Sequence, residues 1–280
     1  MKNGLAIWHY PHRTVTENAE YFADCGFESI SVHGVHMYNV LSDEKEAEKL
    51  AEIISAKNLI LTVHHALPVD HSDEKVSLFR NQIEAYGKWQ KKFGILSVLS
   101  FDVPQDIRDN ITPYVDFVLE TVEKSKIAVE DFGLNEAERK QIEYLKNNDR
   151  FGYLIDIGHL YLRICGKNDS GYTLFTNSPE ECPVNENPVS ADFLRALRTK
   201  EFPIFEMHLH NNDGVEDVHY FLEEGTLKID EIAKALKDFG FEGILTIESA
   251  PGYRFECKYP ESDIKINKTF AYWKNMMAES

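Results

Sequence analysis

Short apolar stretches alternate with amphipathic stretches along almost the whole chain. Eight of the apolar stretches are five to seven residues long and rich in Ile, Leu and Val, which is typical of buried parallel strands. These predicted strands are residues 4–10, 28–33, 59–65, 95–101, 127–131, 151–155, 204–210 and 244–248. Between them, apolar residues recur at helical spacing, and Gly26 and Gly240 stand where helices would end.

Helices are predicted in most of the segments that separate the strands. They cover residues 14–25, a segment capped by Ser42, and residues 72–93, 113–124, 135–148, 191–199, 229–239 and 265–277. Strands that alternate with helices in this way predict a closed parallel (β/α)8 TIM barrel, since crossover connections are right-handed. An open doubly wound sheet is the alternative, but the chain has neither a Gly-x-Gly-x-x-Gly nor a Walker A sequence.

One irregular region interrupts the alternation at about residues 163–189. It is rich in Gly, Asn, Pro and Ser, and it carries Tyr172 and Phe175. A loop of this length inside a compact domain is usually functional or disordered. We therefore predict a single domain over residues 1–280, with an insertion that is either a lid over the barrel mouth or an interface in a homodimer.

Composition narrows the classes of partner. The formal net charge is −17, from 47 acidic and 30 basic residues, and the sequence has no basic cluster, which argues against nucleic acid. The first residues lack a signal-peptide core, and no stretch is suited to span a bilayer. The four cysteines are scattered, without a Cys-x-x-Cys pair. We expect a cytoplasmic protein with no membrane role.

Polar side chains stand at the predicted C-terminal ends of the strands, where barrel enzymes place their catalytic groups. They are His64 and His65, Glu130 and Asp131, Asp156 and His159, His208 and His210, and Glu248. Because strand-end histidines and carboxylates are often structural, we assign Asp131 and His65 such roles. Carboxylates that converge on one mouth would repel each other, and a divalent cation resolves that conflict. Oxygen ligands with one imidazole suit Zn²⁺, Mn²⁺, Mg²⁺ or Co²⁺.

The residues at these strand ends carry a resemblance to a known family. The motifs are Val129-Glu130, Asp156-x-x-His159, the segment MHLHNNDGVEDVH at residues 207–219, and Ile247-Glu248. In this order and at these strand positions, the chain resembles the xylose isomerase-like superfamily over nearly its whole length, from Gly4 to Glu248. That superfamily includes sugar-phosphate isomerases and epimerases, ketose epimerases and endonuclease IV.

The resemblance implies a divalent metal ion bound by Glu130, Asp156, His208 and Glu248. His210 competes with His208 for one position, and His208 matches the family better. His210 is then a weak candidate for a contact with the substrate. In the epimerase branch, Glu130 and Glu248 would also form the acid/base pair, and His159 would contact a substrate oxygen. The resemblance also implies a small sugar or sugar phosphate as the substrate. The chemistry is consistent with this, because a metal-bound carbonyl acidifies the adjacent C–H group and two carboxylates can remove and return its proton.

The endonuclease IV branch, a multi-zinc phosphodiesterase with three zinc ions, is the competing alternative. Positions that resemble its further ligands are His64, His159, Asp217 and His219, which would bind a second metal ion or contact the substrate. Where that branch has a histidine on the fourth strand, this chain has Ser100. The missing ligand and the acidic charge argue against DNA repair. Dehydration of a cyclic polyol and non-catalytic sugar binding are further alternatives.

Three aromatic or imidazole side chains have weaker candidate roles. Trp8 and His9 end the first predicted strand and would present an aromatic face to a sugar ring, although barrel packing is the more common role of such residues. His33 ends the second predicted strand, where a polar contact with the substrate is expected.

Overall fold

The computed structural model describes residues 1–131, 134, 136–166, 184–252 and 257–279. Its eight parallel strands pair in sequence order, and β1 closes the barrel on β8. The strands are β1 Lys2–Ala6, β2 Ser29–His33, β3 Ile60–Ala66, β4 Ser97–Asp102, β5 Lys126–Glu130, β6 Phe151–Asp156, β7 Ile204–Leu209 and β8 Ile244–Ile247. The predicted (β/α)8 barrel is therefore confirmed, and the open sheet is excluded.

The helices of the described residues surround this barrel. They are α1 Val15–Asp24, α2 Gly34–Leu41, α3 Glu44–Lys57, α4 Asp73–Phe93, α5 Thr112–Thr121, α6 Glu136–Ile142, α7 Ile157–Cys165, α8 Ser190–Arg198, α9 Ile229–Phe239 and α10 Glu261–Glu279. Across the described ranges, no helix combines the length and the apolar character that a membrane span requires.

Helix α2 is absent from the sequence prediction. Its eight residues, GVHMYNVL, form a short helix that exposes the apolar Val35 together with the polar His36 and Asn39, so its amphipathic pattern is weak. The helix begins at His33, whose Nδ1 accepts a hydrogen bond from the backbone N–H of Val35 at 3.3 Å. The next helix is capped by Asp43 and not by Ser42 as predicted, because the Asp43 carboxylate accepts from the Lys45 N–H at 2.9 Å.

The first strand is shorter than predicted. β1 ends at Ala6, and a 3-10 turn covers Ile7–His9. Trp8 and His9 therefore belong to this turn and not to the strand. The two-residue alternation that sets side-chain direction within a strand therefore does not determine where their rings point.

Much of the predicted insertion lies outside the described residues. Tyr172 and Phe175 fall in residues 167–183, so the lid and interface roles, the single-domain organisation and the homodimer stay predictions. The start of the region belongs to α7, which ends at Cys165. The chain returns beside that helix, because the Asn185 N–H donates to the Ile164 carbonyl at 2.8 Å.

Side chains on each strand point alternately toward the helices and into the barrel. Glu206 on β7 marks the inward direction, because its carboxylate accepts hydrogen bonds from Thr62 at 2.9 Å and Thr246 at 2.7 Å. Thr62 lies on β3, across the barrel from β7, so the two meet only in the interior. The same alternation sends His64 and His208 inward, two residues farther along their strands.

Asp131 lies next to the inward Glu130 and has a different role. Its carboxylate forms an ion pair with the Lys200 ammonium, and both side chains are at most 5% exposed. Burial opposes ionisation, but Lys200 and Arg163 lower the pKa of Asp131 to about 2. The pair joins the end of β5 to the segment between α8 and β7, which is the structural position expected for Asp131.

Candidate metal centre

Three neighbouring clusters of carboxylates and imidazoles, two of which share Glu130, lie at the C-terminal ends of the strands. The central cluster is defined here as Glu130, Asp156, His208 and Glu248. The β3–β4 cluster is His64, Asp102 and Glu130. The histidine cluster is His159, His210, Asp217 and His219. The candidate ligand atoms of the β3–β4 cluster lie within 4.8 Å of one another, and so do those of the histidine cluster. In the central cluster, the same limit holds for the atoms of Asp156, His208 and Glu248.

The central cluster brings together the four residues for which the resemblance implies a metal. Asp156, His208 and Glu248 form one close group, and Glu130 joins Asp156 in another that also contains His159. All four side chains of the central cluster are buried. The shortest contact within it is 2.8 Å, between His208 Nδ1 and Glu248 Oε2.

The His208 ring is held from behind by Glu206, a residue that the sequence analysis did not identify. Glu206 Oε1 lies 3.5 Å from His208 Nε2, and the same oxygen accepts from Thr62 and Thr246. Fixing one ring nitrogen in this way turns the other, Nδ1, toward Glu248. The available signal was the two-residue spacing of Glu206 and His208, which puts both on one face of β7.

Asp156 serves both the fold and the site. It is the N-cap of α7, because its Oδ1 accepts from the His159 backbone N–H at 2.7 Å. The same oxygen lies 3.1 Å from His210 Nε2. Asp156 Oδ2 is buried and has no hydrogen-bond partner among the described residues. Because an ionised oxygen buried without a partner is unfavourable, this oxygen and its donor set fit a divalent cation.

The β3–β4 cluster differs from the sequence expectation on the fourth strand. Ser100 Oγ lies 3.1 Å from His64 Nδ1, so the serine orients the imidazole. His64 Nε2 then lies 3.3 Å from Asp102 Oδ1 and 3.8 Å from Glu130 Oε2. Asp102 thus offers a candidate ligand atom on β4, the strand where Ser100 stands in place of the histidine of the endonuclease IV branch. The signal for it was again a two-residue spacing, from Ser100 to Asp102.

The histidine cluster is built from the β6–α7 junction and the segment that follows β7. Asp217 lies between two imidazoles: His159 Nε2 is 3.2 Å from its Oδ2, and His219 Nε2 is 3.2 Å from its Oδ1. His210 Nε2 is 3.7 Å from Asp217 Oδ1. The rings of His210 and His219 stack with centroids 3.7 Å apart. Asp217 and His219 therefore belong to the barrel mouth, and their side chains are 15% and 12% exposed.

Trp8, His9 and His33 lie at the margin of these clusters. The Trp8 ring stacks on His64 with centroids 5.9 Å apart and planes inclined by 15°. His9 Nε2 is 3.7 Å from Glu248 Oε1. His33 caps α2 through Nδ1, and burial followed by the nearby His64 lowers its pKa to about 4, so the ring is neutral.

The two glutamates of the central cluster have opposite electrostatic environments in the metal-free protein. Burial, and then the charge of Asp102, hold the pKa of Glu130 well above its ordinary value. Burial acts on Glu248 in the same direction, but the imidazoles of His208 and His219 outweigh it and hold the pKa of Glu248 well below its ordinary value. One carboxyl group therefore favours its protonated form and the other its ionised form.

Comparisons with known proteins agree with this architecture. The chain is 22% identical over 260 residues to an uncharacterised protein of Methanocaldococcus jannaschii, covering 89% of this chain and 84% of that one. It resembles a D-psicose 3-epimerase crystallised in the presence of D-fructose, with a TM-score of 0.66 and 13% identity over 99% of both chains.

A second solved structure, an IOLI protein with a bound zinc atom, matches with a TM-score of 0.62 and 16% identity, over 100% of this chain and 97% of that one. A family profile described as Xylose isomerase-like TIM barrel matches residues 19–265. This match spans the barrel from α1 into α10, including all three clusters. The chain belongs to the xylose isomerase-like TIM barrel family.

Proposed function

We propose that the protein is a metal-dependent isomerase or epimerase of a ketose or ketose phosphate. One observation carries the proposal: Glu130 at the end of β5 and Glu248 just after β8 each belong to a close group of ligand atoms that contains Asp156, at the barrel mouth. Two carboxyl groups beside one metal-binding set are what proton transfer next to a carbonyl requires.

Glu130, Asp156, His208 and Glu248 are the residues that would hold the metal. When bound, a divalent ion supplies Lewis acidity, which makes the C–H group next to a coordinated carbonyl more acidic. Glu248 accepts the proton from that carbon, and Glu130 donates a proton to the other face. A proton that leaves from one face and returns to the other inverts the carbon, which is an epimerisation. A proton returned to the neighbouring carbon gives an isomerisation.

The contacts and burial of the two glutamates support a role for both in proton transfer. An acid/base pair passes between its protonated and ionised forms in each turnover. Glu130 also accepts from His159 Nδ1 at 2.9 Å, which gives it a partner when it becomes negatively charged. The side chains of Glu130 and Glu248 are both buried, which keeps water away from the proton while it is transferred.

The similar proteins and the margin of the site support a sugar substrate. A D-psicose 3-epimerase acts on a ketose, as its name states, and the match covers 99% of this chain. Trp8, whose ring lies beside His64 and His208, offers an apolar face on which a sugar ring could pack. The metal is one of Zn²⁺, Mn²⁺, Mg²⁺ and Co²⁺, for all of which the donors of the central cluster are suitable.

A second candidate function, a multi-zinc phosphodiesterase, is favoured by one specific observation. Asp102 gives the β3–β4 cluster three ligand atoms, so the fourth strand does contribute a donor near His64. A metal shared between this cluster and the central one through Glu130 would suit phosphate-ester hydrolysis. The net charge of −17 favours a small phosphate ester over DNA as the substrate.

Glu130→Gln and Glu248→Gln test the proposed acid/base pair. Wild-type protein loaded with Mn²⁺ or Co²⁺ is incubated with a panel of ketoses and ketose phosphates in deuterium oxide. We expect deuterium to enter the substrate beside the carbonyl, and each variant to slow this exchange about 10²- to 10⁴-fold, because general acid/base catalysis contributes that much. Glu84→Gln, on the outer helix α4, is the matched control. Full exchange rates in both site variants would refute the assignment.

Asp102→Asn separates the two candidate functions. If the protein is a phosphodiesterase, the variant should hydrolyse bis(4-nitrophenyl) phosphate at least about 10-fold more slowly, because a metal ligand has been weakened. If it is an isomerase or epimerase, wild type and Asp102→Asn should both leave this ester unhydrolysed, whereas wild type should still exchange deuterium into the ketose. Asp109→Asn, which changes an exposed carboxylate, controls for the loss of charge. Measurable hydrolysis in wild type that Asp102→Asn abolishes would replace the first candidate by the second.

The metal-free protein should lose stability as the pH rises from 6 to 9. Burial opposes protonation of His219, but Asp217 and Glu248 outweigh it and raise its pKa from 6.5 to about 9. The stabilisation is complete below about pH 6.5 and is lost as the pH rises through about 9, on the order of 3 kcal/mol. Urea unfolding of chelator-treated protein measures the change. Metal should reverse the trend, because it binds neutral imidazoles. If the metal-free protein were as stable at pH 9 as at pH 6, or more stable, protonated His219 would not be the source of this stabilisation.

A further inference from the structure

Glu206 is a carboxylate in the interior of the barrel, where packing alone does not require an acid. Its side chain is fully buried on β7, two residues before His208. Removing a carboxylate from water costs several kcal/mol, which is recovered only when hydrogen bonds and a nearby positive charge compensate for it. An apolar side chain of similar size would fill the same space at no such cost. An acid at this position therefore indicates a role in the site above it.

Two threonines hold the Glu206 carboxylate in place. Thr62 Oγ1 on β3 donates to Glu206 Oε1 at 2.9 Å, and Thr246 Oγ1 on β8 donates to the same oxygen at 2.7 Å. Both threonines are fully buried, so water does not compete for this oxygen. Because the two donors come from different strands, the carboxylate cannot rotate without breaking at least one hydrogen bond.

The fixed carboxylate faces His208, the imidazole of the central cluster. Glu206 Oε1 lies 3.5 Å from His208 Nε2, and the other ring nitrogen, Nδ1, lies 2.8 Å from Glu248 Oε2. Among the described residues, neither His208 Nε2 nor Glu206 Oε2 has a hydrogen-bond partner. Since the neighbour of Nε2 is an acceptor, the neutral ring favours a hydrogen on Nε2 and a lone pair on Nδ1. That lone pair is on the side of the barrel mouth.

We propose that Glu206, held by Thr62 and Thr246, is a positioning residue that sets the affinity of the central cluster for its metal ion. The inference rests on the proposed function only in placing a metal at that cluster. Glu206 keeps the Nδ1 lone pair of His208 directed toward the mouth, and its negative charge makes the imidazole a stronger donor. It acts through the ring and not by contact with the substrate.

A cation at the mouth also accounts for the charge of Glu206. A buried carboxylate with one unpaired oxygen is unfavourable unless positive charge lies nearby. A divalent ion held by the central cluster would supply that charge through the His208 ring. The same acid that costs stability in the metal-free protein would thus strengthen the binding of the metal.

Glu206→Gln tests the role of the charge, because glutamine keeps the size of the side chain and an oxygen that accepts from both threonines. Binding of Mn²⁺ to the chelator-treated full chain is measured from the electron paramagnetic resonance signal of the free ion. The site is identified as the one whose affinity falls in His208→Gln. We expect Glu206→Gln to weaken this site about 10- to 100-fold, the effect typical of losing a residue that supports a metal ligand. Thr246→Val should weaken it in the same direction.

Thr269→Val is the matched control for these variants. Thr269 is also fully buried, and its hydroxyl group also donates to a glutamate, Glu223, but it lies on the outer helix α10. Its loss should leave the Mn²⁺ affinity unchanged. Circular dichroism on each variant shows that it is folded.

Nuclear magnetic resonance gives a readout that a merely structural role would not move. In zinc-saturated protein labelled with ¹⁵N-histidine, the His208 Nε2–H proton is identified by its absence in His208→Gln. It should resonate far downfield in wild type, because a hydrogen that faces a carboxylate is strongly polarised. Glu206→Gln should move it upfield, and Thr269→Val should not.

Either an unchanged Mn²⁺ affinity or an unchanged Nε2–H resonance in Glu206→Gln would overturn the proposal. An equal loss of affinity in Thr269→Val would also overturn it, because the effect would then be one of general packing. Weaker Mn²⁺ binding in Glu206→Gln, with no deuterium exchange into any ketose by wild type, would support the role of Glu206 and contradict the proposed function. A wild type that binds no Mn²⁺ through His208 would overturn both.

Discussion

Burial of several carboxylates at one barrel mouth is the constraint on which the rest of the site depends. Each parallel strand sends alternate side chains inward, so acids near the strand ends converge whatever else the sequence contains. Carboxylates removed from water raise one another's pKa values or require cations. The mouth of this barrel has imidazoles beside almost every carboxylate, and its arrangement follows from that need for positive charge.

In the metal-free protein the imidazoles are counterions of the carboxylates, and under the proposed function some of them would be metal ligands. His208 lies 2.8 Å from Glu248, and His159 and His219 each lie 3.2 Å from Asp217. Metal ions and protons would then compete for the same lone pairs, so metal binding would release protons. Glu130 takes part in both the central and the β3–β4 clusters, and its contact with His159 reaches the histidine cluster. A change at any cluster is thus felt at the proposed acid/base pair.

The sequence predicts the barrel because its strands and helices differ in period and length, and both signals are local. It predicts most of the mouth for the same reason, since strand ends can be located to within a residue or two. Asp102 and Glu206 were not predicted, because the register between neighbouring strands decides whether a side chain points into the barrel. Helix α2 was missed because it is short and exposes the apolar Val35 beside the polar His36 and Asn39, which weakens its amphipathic pattern. The grouping of His210 with Asp217 depends on how the segment after β7 folds back, which no periodic pattern encodes.

Under the proposed function, a metal and two carboxyl groups of the central cluster act on one carbon of a ketose. The most direct measurement is electron density for a ketose bound to the metal-loaded protein, with the metal identified by its anomalous scattering. We expect an ion bound by Glu130, Asp156, His208 and Glu248, and the carbon beside the sugar carbonyl lying between the two glutamates. A sugar whose reacting carbon lies away from either glutamate, or a metal that binds without them, would contradict it.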